Sequence, residues 1–386
     1  MTHSRIYLDN AATSFPKPEG VYRAVETYQR EQGTAVGRGI YHTSMSVSQK
    51  VRSCRHRAAM LFGAESPERM IFTFNGTDSL NMVIHGLFAH QPGGHVVTTA
   101  AEHNSVLRPL RTLERRKQCE VTVVDVDDVG RCRPGEIERS LHSGTRLVAI
   151  THVSNVTGTI QPIEEVVDIC QRRRIPVLLD AAQSAGHLPI DLKTLPVDFL
   201  ACPGHKGLLG PLGTGLLYIR PGCEDRLESL RQGGTGTQSE LDEQPSELPE
   251  KYESGNHNAP GLVGLDEGLA YIQQRTIAVL LDHERQLTER LLTGMLSMNN
   301  VTVYGPKQID GRLGVVSFTV AGYAPQDVAA ILDASAEIEV RSGLHCAPLM
   351  HRALGTVAGG GTVRISVGCM NTAEEIDRAI DAIRQL

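Results

Sequence analysis

Short apolar runs alternate with helical patterns through the first two-thirds of the chain. The runs are almost continuously apolar, as in residues 175–180, which read Ile-Pro-Val-Leu-Leu-Asp. Strands that are buried on both faces have this composition, and helices between them supply the crossovers that parallel strands need. The pattern therefore predicts a largely parallel sheet flanked by helices on both faces. The predicted strands are 70–74, 95–99, 120–126, 146–153, 175–180, 197–202 and 215–219.

The pattern changes after about residue 231. Residues 232–250 are rich in Gly, Thr, Glu and Pro, which predicts a long irregular segment. The predicted elements beyond it are helices at 260–274, 277–296 and 325–334, strands at 314–320 and 363–367, and a last helix behind the capping box Thr372–Glu375. A chain of 386 residues exceeds what one hydrophobic core usually supports. We therefore expect a second, smaller α/β domain at the C-terminal end.

Composition excludes several classes of function. The net charge is −6, from 38 Lys and Arg against 44 Asp and Glu, with no basic block, so nucleic-acid binding is not expected. No apolar stretch approaches the ~18 residues of a membrane helix, and no signal core opens the chain, which predicts a cytoplasmic protein without a membrane partner. The 8 cysteines form no CxxC pair and no compact group with histidine, which argues against a disulfide framework and against a metal site.

Asp180 and Lys206 each follow an apolar run. Parallel sheets place ligands at the carboxyl ends of their strands. A buried aspartate and a lysine are what a pyridoxal phosphate site needs, because the lysine binds the cofactor aldehyde and the carboxylate favours a protonated pyridine ring. Taken alone, Lys206 could equally be a solvated surface residue and Asp180 a cap or turn residue at a strand end.

Cys346 differs from the other seven cysteines by its surroundings. It lies in a glycine-containing loop between Arg341 and Pro348, next to His345. Most cysteines are small buried apolar residues, which is the expectation for the other seven. Neighbouring cationic side chains favour the thiolate, so this loop predicts a reactive cysteine.

Together these segments resemble the cysteine desulfurases of the Suf-type (group II) branch, within the class V aminotransferase superfamily. The resemblance runs from Leu8-Asp9-Asn10-Ala11-Ala12-Thr13 to Val363-Arg364-Ile365-Ser366. It implies pyridoxal phosphate-dependent transferase fold type I, with a large domain at 16–260 and a small domain at 261–386 that the segment 1–15 joins. Group II loops read Arg-x-Gly-x-His-Cys, as does Arg341 to Cys346 here.

The resemblance also implies a role for each site residue. Lys206 forms the Schiff base, Asp180 pairs with the pyridine nitrogen, and His103 stacks on the ring and moves protons. Arg364 clamps the substrate carboxylate, for which the alternative is an exposed ion pair. The other implied cofactor contacts are Gln183 and Asn155 at the phenolic oxygen, Gly76, Thr77, Asp78 and His205 at the phosphate, and Asn256 from a neighbouring subunit. Asn155 also lies beside the substrate carboxylate.

Three positions depart from the family pattern. Pro203 stands where a serine is common, and it cannot donate to the phosphate. Leu344 replaces a second histidine of the cysteine loop. Asn256 replaces the threonine that reaches the neighbouring subunit's cofactor, although an amide can still donate. The homodimer is an expectation from the family.

The resemblance implies conversion of L-cysteine to L-alanine, with the sulfur carried as a persulfide on Cys346 to an acceptor protein or to iron–sulfur cluster assembly. Another reaction of the superfamily is the first alternative: selenocysteine lysis, transamination or epimerisation. The second alternative is a non-catalytic sulfur carrier or scaffold that keeps the fold.

Overall fold

The computed structural model describes residues 5–37, 39–89, 91–238 and 240–386. A seven-stranded sheet forms its centre, in the order β2-β8-β7-β6-β5-β3-β4. Of its seven strands only β8 runs in the direction opposite to the others, so the predicted, mostly parallel α/β sheet is confirmed. The strands are β2 (Met70–Thr73), β3 (His95–Thr99), β4 (Glu120–Val124), β5 (Thr145–Thr151), β6 (Val177–Asp180), β7 (Phe199–Pro203) and β8 (Gly215–Ile219).

Helices cover both faces of this sheet. Successive side chains of a strand point to opposite faces, and the core follows that alternation. Leu179 and Ile150 belong to one buried cluster, whereas Leu178 and Ala149 belong to another. Both faces are therefore buried, which explains the continuously apolar runs. The helices are α1 (Glu19–Thr27), α2 (His42–Phe62), α3 (Gly76–Gly86), α4 (Asn104–Arg115), α5 (Pro134–Ser140), α6 (Ile163–Arg172) and α7 (Ala259–Arg275).

A second, four-stranded antiparallel sheet has a core of its own. It has the order β12-β13-β10-β9, and helices pack against it. Its strands are β9 (Val301–Tyr304), β10 (Val315–Val320), β12 (Arg341–Gly343) and β13 (Thr362–Ser366), and its part of the chain holds α8 (Ile277–Leu296), α9 (Pro325–Ala336), α10 (Pro348–Ala353) and α11 (Ala373–Arg384).

The N-terminal segment returns to this C-terminal part. β1 (Ile6–Tyr7) pairs in parallel with β11 (Ile338–Glu339). Leu8 is fully buried in the same cluster as the second sheet. Residues 1–4 of the predicted joining segment 1–15 lie outside the described residues. The predicted boundary between residues 260 and 261 stays a prediction; α7, which spans it, packs on α1 and α2.

The predicted irregular segment 232–250 has no helix or strand among its described residues. Residue 239 lies outside the described part. The segment ends at a buried anchor, where the Glu253 carboxylate accepts from Arg55 Nη1 and Nη2 at 2.6 and 2.7 Å and from the Phe72 amide at 2.6 Å. No helix in the described part of the chain is both long and apolar enough to cross a membrane.

Candidate active site

The carboxyl ends of three neighbouring strands bring predicted site residues together. Asp180 ends β6, Lys206 follows β7, and Asn155 follows β5. They line one pocket with about 500 Å³ of empty volume. Ligands bind at this edge of parallel α/β sheets, so this pocket is the candidate active site. The predicted site residues that line it are Gly76, Thr77, His103, Asn155, Asp180, Gln183, His205 and Lys206.

Asp180 and Lys206 are an acidic and a basic side chain at this pocket. The Asp180 carboxylate is buried and accepts from the Ala182 amide at 2.9 Å. Burial raises its pKa, while the amide and the Lys206 ammonium oppose that shift. Lys206 is partly exposed to the pocket, and desolvation lowers its pKa to about 8, against the attraction of Asp180. A lysine with this pKa has a substantial neutral fraction near neutral pH and can act as a nucleophile or a base.

His103 caps α4 and presents a neutral imidazole to the pocket. Its Nδ1 accepts from the Ser105 amide at 3.0 Å, which puts the proton of the neutral ring on Nε2. Burial, followed by the positive charge of Lys206, lowers its pKa to about 4. His103 is therefore a neutral donor at Nε2 at physiological pH.

The start of α3 forms the other end of the pocket. The Asn75 side chain caps this helix by accepting from the Asp78 amide at 2.9 Å. A Cβ on Gly76 would lie 3.0 Å from Pro203 Cδ and 3.2 Å from the Pro203 nitrogen, so a larger residue would have to push that turn back slightly. Thr77 Oγ1 contacts Ser105 Oγ at 2.7 Å. Helix starts of this kind bind anions through free amides.

His205 and Asp78, which are both expected at the phosphate, differ in their relation to the pocket. The buried Nδ1 of His205 has no hydrogen-bond partner among the described residues, which leaves it available to a ligand. Asp78 does not line the pocket, and its carboxylate accepts from the Phe74 amide at 2.9 Å and pairs with Arg231 at 3.2 Å. The roles of both residues stay predictions.

Gln183 and Asn155 tie the pocket to distant parts of the chain. Gln183 Nε2 donates to the Ala11 carbonyl at 3.0 Å. Asn155 Nδ2 donates to the His345 carbonyl at 2.7 Å. The pocket wall is thus connected to the N-terminal segment and to the cysteine loop.

Arg364 lies in β13 and is 1% exposed, so the alternative of an exposed ion pair is wrong. Its Nη1 donates to the Asn155 carbonyl at 3.1 Å, and its Nη2 pairs with Asp9 Oδ1 at 2.5 Å. Desolvation lowers its pKa, while Asp9 raises it. The guanidinium is therefore held beside Asn155 by a carboxylate of the N-terminal segment.

The Cys346 loop is held against the start of α4. The amide of Asn104, the residue after His103, donates to the Cys346 carbonyl at 2.7 Å. His345 and Cys346 both have left-handed backbone, with φ of 47° and 60°. This backbone and its tether bring the partly exposed Cys346 next to the helix start that carries His103.

Arg341 supplies the positive charge beside the Cys346 sulfur, with its Nη2 3.8 Å from Sγ. His345 does not, which corrects the expectation for that side chain. Its Nε2 donates to the Thr362 carbonyl at 3.1 Å, and burial lowers its pKa to about 2. A second correction concerns Cys369, which is partly exposed where a buried cysteine was expected.

Asn256 does not line this pocket. It lies on a separate one, together with Arg231, His257 and Asn258. Its predicted contact across a subunit boundary is not tested by a single chain and stays a prediction.

Sequence reasoning missed Asp9 and Glu102. Asp9 stands in the N-terminal motif Leu8 to Thr13, and its partner Arg364 is 355 residues away in the sequence, so no local pattern connects them. Glu102 precedes His103 and is completely buried. Its Oε1 accepts from Thr99 Oγ1 at 2.7 Å and from the Thr151 amide at 3.0 Å, and burial raises its pKa to about 8. The only signal in the sequence was a charged residue three positions after the end of a buried strand.

The N-terminal segment also holds the turn that carries Lys206. The carbonyl of His205 accepts from the Ser14 amide at 3.0 Å, Thr13 Oγ1 at 3.0 Å and Lys17 Nζ at 2.8 Å. Ser14 Oγ donates to the carbonyl of Lys206 itself at 2.9 Å. Within the described ranges, no group of three or more His, Cys, Asp or Glu side chains could hold a metal ion.

Comparisons with known proteins agree with this geometry. The family model described as Aminotransferase class-V matches residues 6–379. A probable cysteine desulfurase of Methanothermobacter thermautotrophicus is 36% identical over 100% of this chain and 96% of its own length. A cysteine desulfurase of Escherichia coli is 32% identical over 98% of this chain and 93% of its own length. The apo cysteine desulfurase structure from Thermococcus onnurineus superimposes with a TM-score of 0.92 at 36% identity, covering 99% of this chain and 94% of that one.

Proposed function

Because the chain belongs to the class V aminotransferase family, we propose that it is a pyridoxal phosphate-dependent cysteine desulfurase. It converts L-cysteine to L-alanine and carries the sulfur as a persulfide on Cys346. The observation that carries the proposal is the tether between the two halves of the site: the amide after His103 donates to the Cys346 carbonyl at 2.7 Å. An aminotransferase has no use for a thiol at that position.

The pocket residues fit the cofactor. Lys206 would hold its aldehyde carbon and Asp180 its pyridine nitrogen. Its phosphate would be held by the start of α3 at Gly76 and Thr77 and by His205 Nδ1, which has no hydrogen-bond partner among the described residues. When bound, pyridoxal phosphate supplies an electron sink for the bonds of the substrate α-carbon.

The chain's own residues supply the remaining chemistry. Arg364 and the Asn155 amide bind the substrate carboxylate, and the Lys206 amine moves the α-proton. The Cys346 thiolate, next to the positive charge of Arg341, attacks the substrate sulfur. The new S–S bond forms as the Cβ–S bond breaks, and Cβ takes up a proton. L-Cysteine and a thiol thus give L-alanine and a persulfide, with no external oxidant or reductant.

The Suf-type (group II) branch is part of the proposal. The residues from Arg341 to Cys346 have the group II pattern, and the loop after β12 is short and hydrogen-bonded to α4. We extend the proposal to a homodimer, because Asn256 lies outside its own chain's pocket. An acceptor protein would take the sulfur from the partly exposed Cys346.

The test is a visible spectrum of the purified protein before and after L-cysteine, with alanine and sulfide assayed from the same tube. We expect a yellow protein that yields equal amounts of alanine and sulfide under reductant. Cys346→Ser should keep the colour and lose sulfide, whereas Cys369→Ser, the matched control at the other partly exposed cysteine, should keep both. A Cys346→Ser variant that desulfurates at near the wild-type rate would contradict the mechanism.

The same spectra and product assays distinguish desulfuration from the alternative functions. Pyridoxamine phosphate with a keto acid would indicate transamination. Faster alanine release from selenocysteine than from cysteine would indicate a lyase for the heavier chalcogen. A protein that stays colourless after reconstitution with pyridoxal phosphate would leave only the carrier or scaffold function.

A further inference from the structure

Arg364, the proposed clamp for the substrate carboxylate, already has a carboxylate partner. Its Nη2 donates to Asp9 Oδ1 at 2.5 Å and its Nη1 to the Asn155 carbonyl at 3.1 Å. Its buried Nε has no acceptor among the described residues. On the edge of the buried guanidinium that Nε and Nη2 form, Nη2 is therefore paired with Asp9, whereas Nε has no acceptor among the described residues.

The backbone fixes Asp9 in this position. Asp9 forms an isolated parallel β-bridge with Ser366 at the end of β13. The flanking backbone amides are also paired: Leu8 donates to the Glu339 carbonyl at 2.9 Å, and Asn10 donates to the Ser366 carbonyl at 3.4 Å. The Asp9 carbonyl accepts from the Ala12 amide at 3.0 Å. The carboxylate is thus delivered to Arg364 by paired backbone rather than by a mobile loop.

The second guanidinium nearby has no such partner. Arg341 lies opposite Arg364 in the pairing of β12 with β13. Among the described residues it has no carboxylate within ion-pair distance, and its recorded contact is the Cys346 sulfur. Asp9 thus compensates the charge of Arg364 but not the charge of Arg341 beside the Cys346 sulfur.

We propose that Asp9 is a positioning and specificity-determining residue: an internal carboxylate that holds Arg364 ready and competes with the substrate carboxylate for it. The inference rests on the proposed function, since it takes an amino-acid carboxylate as the ligand of Arg364. Without Asp9 the buried cation would be uncompensated, and any small anion would bind it tightly. With Asp9, only a ligand with further contacts in the pocket gains enough to enter.

The experiment compares two ligands that differ only at the carboxylate. L-Alanine and L-alaninamide are titrated into the reconstituted enzyme by calorimetry, and the ratio of their dissociation constants measures the preference for a carboxylate. Asp9→Asn keeps an oxygen that accepts from Nη2 but removes the charge. We expect it to shift the ratio roughly tenfold towards L-alanine, because two like charges no longer share one guanidinium.

Glu339→Gln is the matched control. It removes the same charge from the strand that pairs with β1, but its carboxylate binds Arg5 at 2.7 Å and not Arg364. We expect its ratio to equal that of the wild type. A loss of fold integrity would weaken both ligands alike and leave the ratio unchanged.

The outcomes separate this inference from the proposed function. A wild-type enzyme that binds the acid no better than the amide overturns the assignment of a carboxylate substrate at Arg364. A wild-type enzyme that prefers the acid, with an Asp9→Asn variant that binds L-alaninamide as tightly as the wild type but shows the same or a lower preference, overturns the role of Asp9 alone. A preference that rises in Asp9→Asn and not in Glu339→Gln supports it.

Discussion

Glu102 is a buried carboxyl group that the proposed mechanism does not use, and its titration can be measured. Burial raises its pKa from 4.5 to about 8, with a smaller contribution from the Asp180 charge. Its Oε1 accepts two hydrogen bonds, while the buried Oε2 has no partner among the described residues. We therefore expect Glu102 to be a neutral acid in the folded protein at neutral pH.

The sign of the pH dependence follows from the two states. The unfolded chain loses the Glu102 proton above its ordinary pKa, whereas the folded protein keeps the proton until about pH 8. The free energy of unfolding therefore falls as pH rises between these values, by ~1.4 kcal/mol per pH unit. Glu102→Gln removes the ionisation and keeps an oxygen for both donors. Its stability relative to the wild type should rise by ~3 kcal/mol between about pH 5 and about pH 7.5.

Urea unfolding of the two proteins at matched concentrations of protein and cofactor measures this difference, because other titrating groups cancel. Glu65→Gln is the control for loss of an exposed carboxylate, and its difference should stay flat across the range. An infrared band of a protonated carboxyl, present at neutral pH in the wild type and absent in Glu102→Gln, checks the assignment directly. A difference that does not change between about pH 5 and about pH 7.5 would refute the reasoning.

Two further outcomes are expected from charged contacts. Arg341→Gln should slow alkylation of Cys346 by iodoacetamide several-fold at neutral pH, because it removes a cation whose Nη2 lies 3.8 Å from the sulfur and attracts the negative charge of the attacking sulfur. Arg341→Lys should retain most of the rate, and equal rates in the two variants would contradict this. Glu253→Ala leaves the Arg55 charge buried without its bidentate partner. It should therefore lower the free energy of unfolding, measured by urea titration, by ~3–5 kcal/mol. A loss below ~1 kcal/mol would show that the ion pair is solvated.

The sequence predicted the large sheet well, because burial on both faces leaves a direct mark on composition. It did not predict α2, although α2 spans His42–Phe62. The buried face of α2 includes Ser44, Ser48, Cys54 and Ala58. Small and weakly polar residues pack closely against a neighbouring helix but give a weak apolar period.

The two-residue strand β11 was missed for a different reason. It is shorter than the run from which a period of two can be recognised, and its partner β1 is equally short. They exist because the N-terminal segment finds a partner more than 300 residues away, and Leu8 beside β1 is fully buried. Local pattern carries no information on such a pairing.

The candidate site shows the same division between local and distant information. Asp180 and Lys206 could be found because each lies at the end of an apolar run, and the fold itself brings the ends of parallel strands to one edge. His103 was implied by the family resemblance. The electrostatic state of the Cys346 loop could not be predicted in this way. His345 lies between the exposed Leu344 and the partly exposed Cys346, yet its ring turns inward to Thr362 and is neutral.

The N-terminal segment explains why site residues from separate sheets can act together. Asp9 holds Arg364, the Ala11 carbonyl holds Gln183, and Ser14 and Lys17 hold the turn of Lys206. These contacts cross between the second sheet and the large sheet within a single short stretch of backbone. A shift of the second sheet would therefore move Arg364, the proposed substrate clamp, and strain the turn of Lys206 at the same time. Because the segment is fixed by backbone pairing and buried donors, it sets the distance between the proposed carboxylate-binding group and the proposed proton carrier.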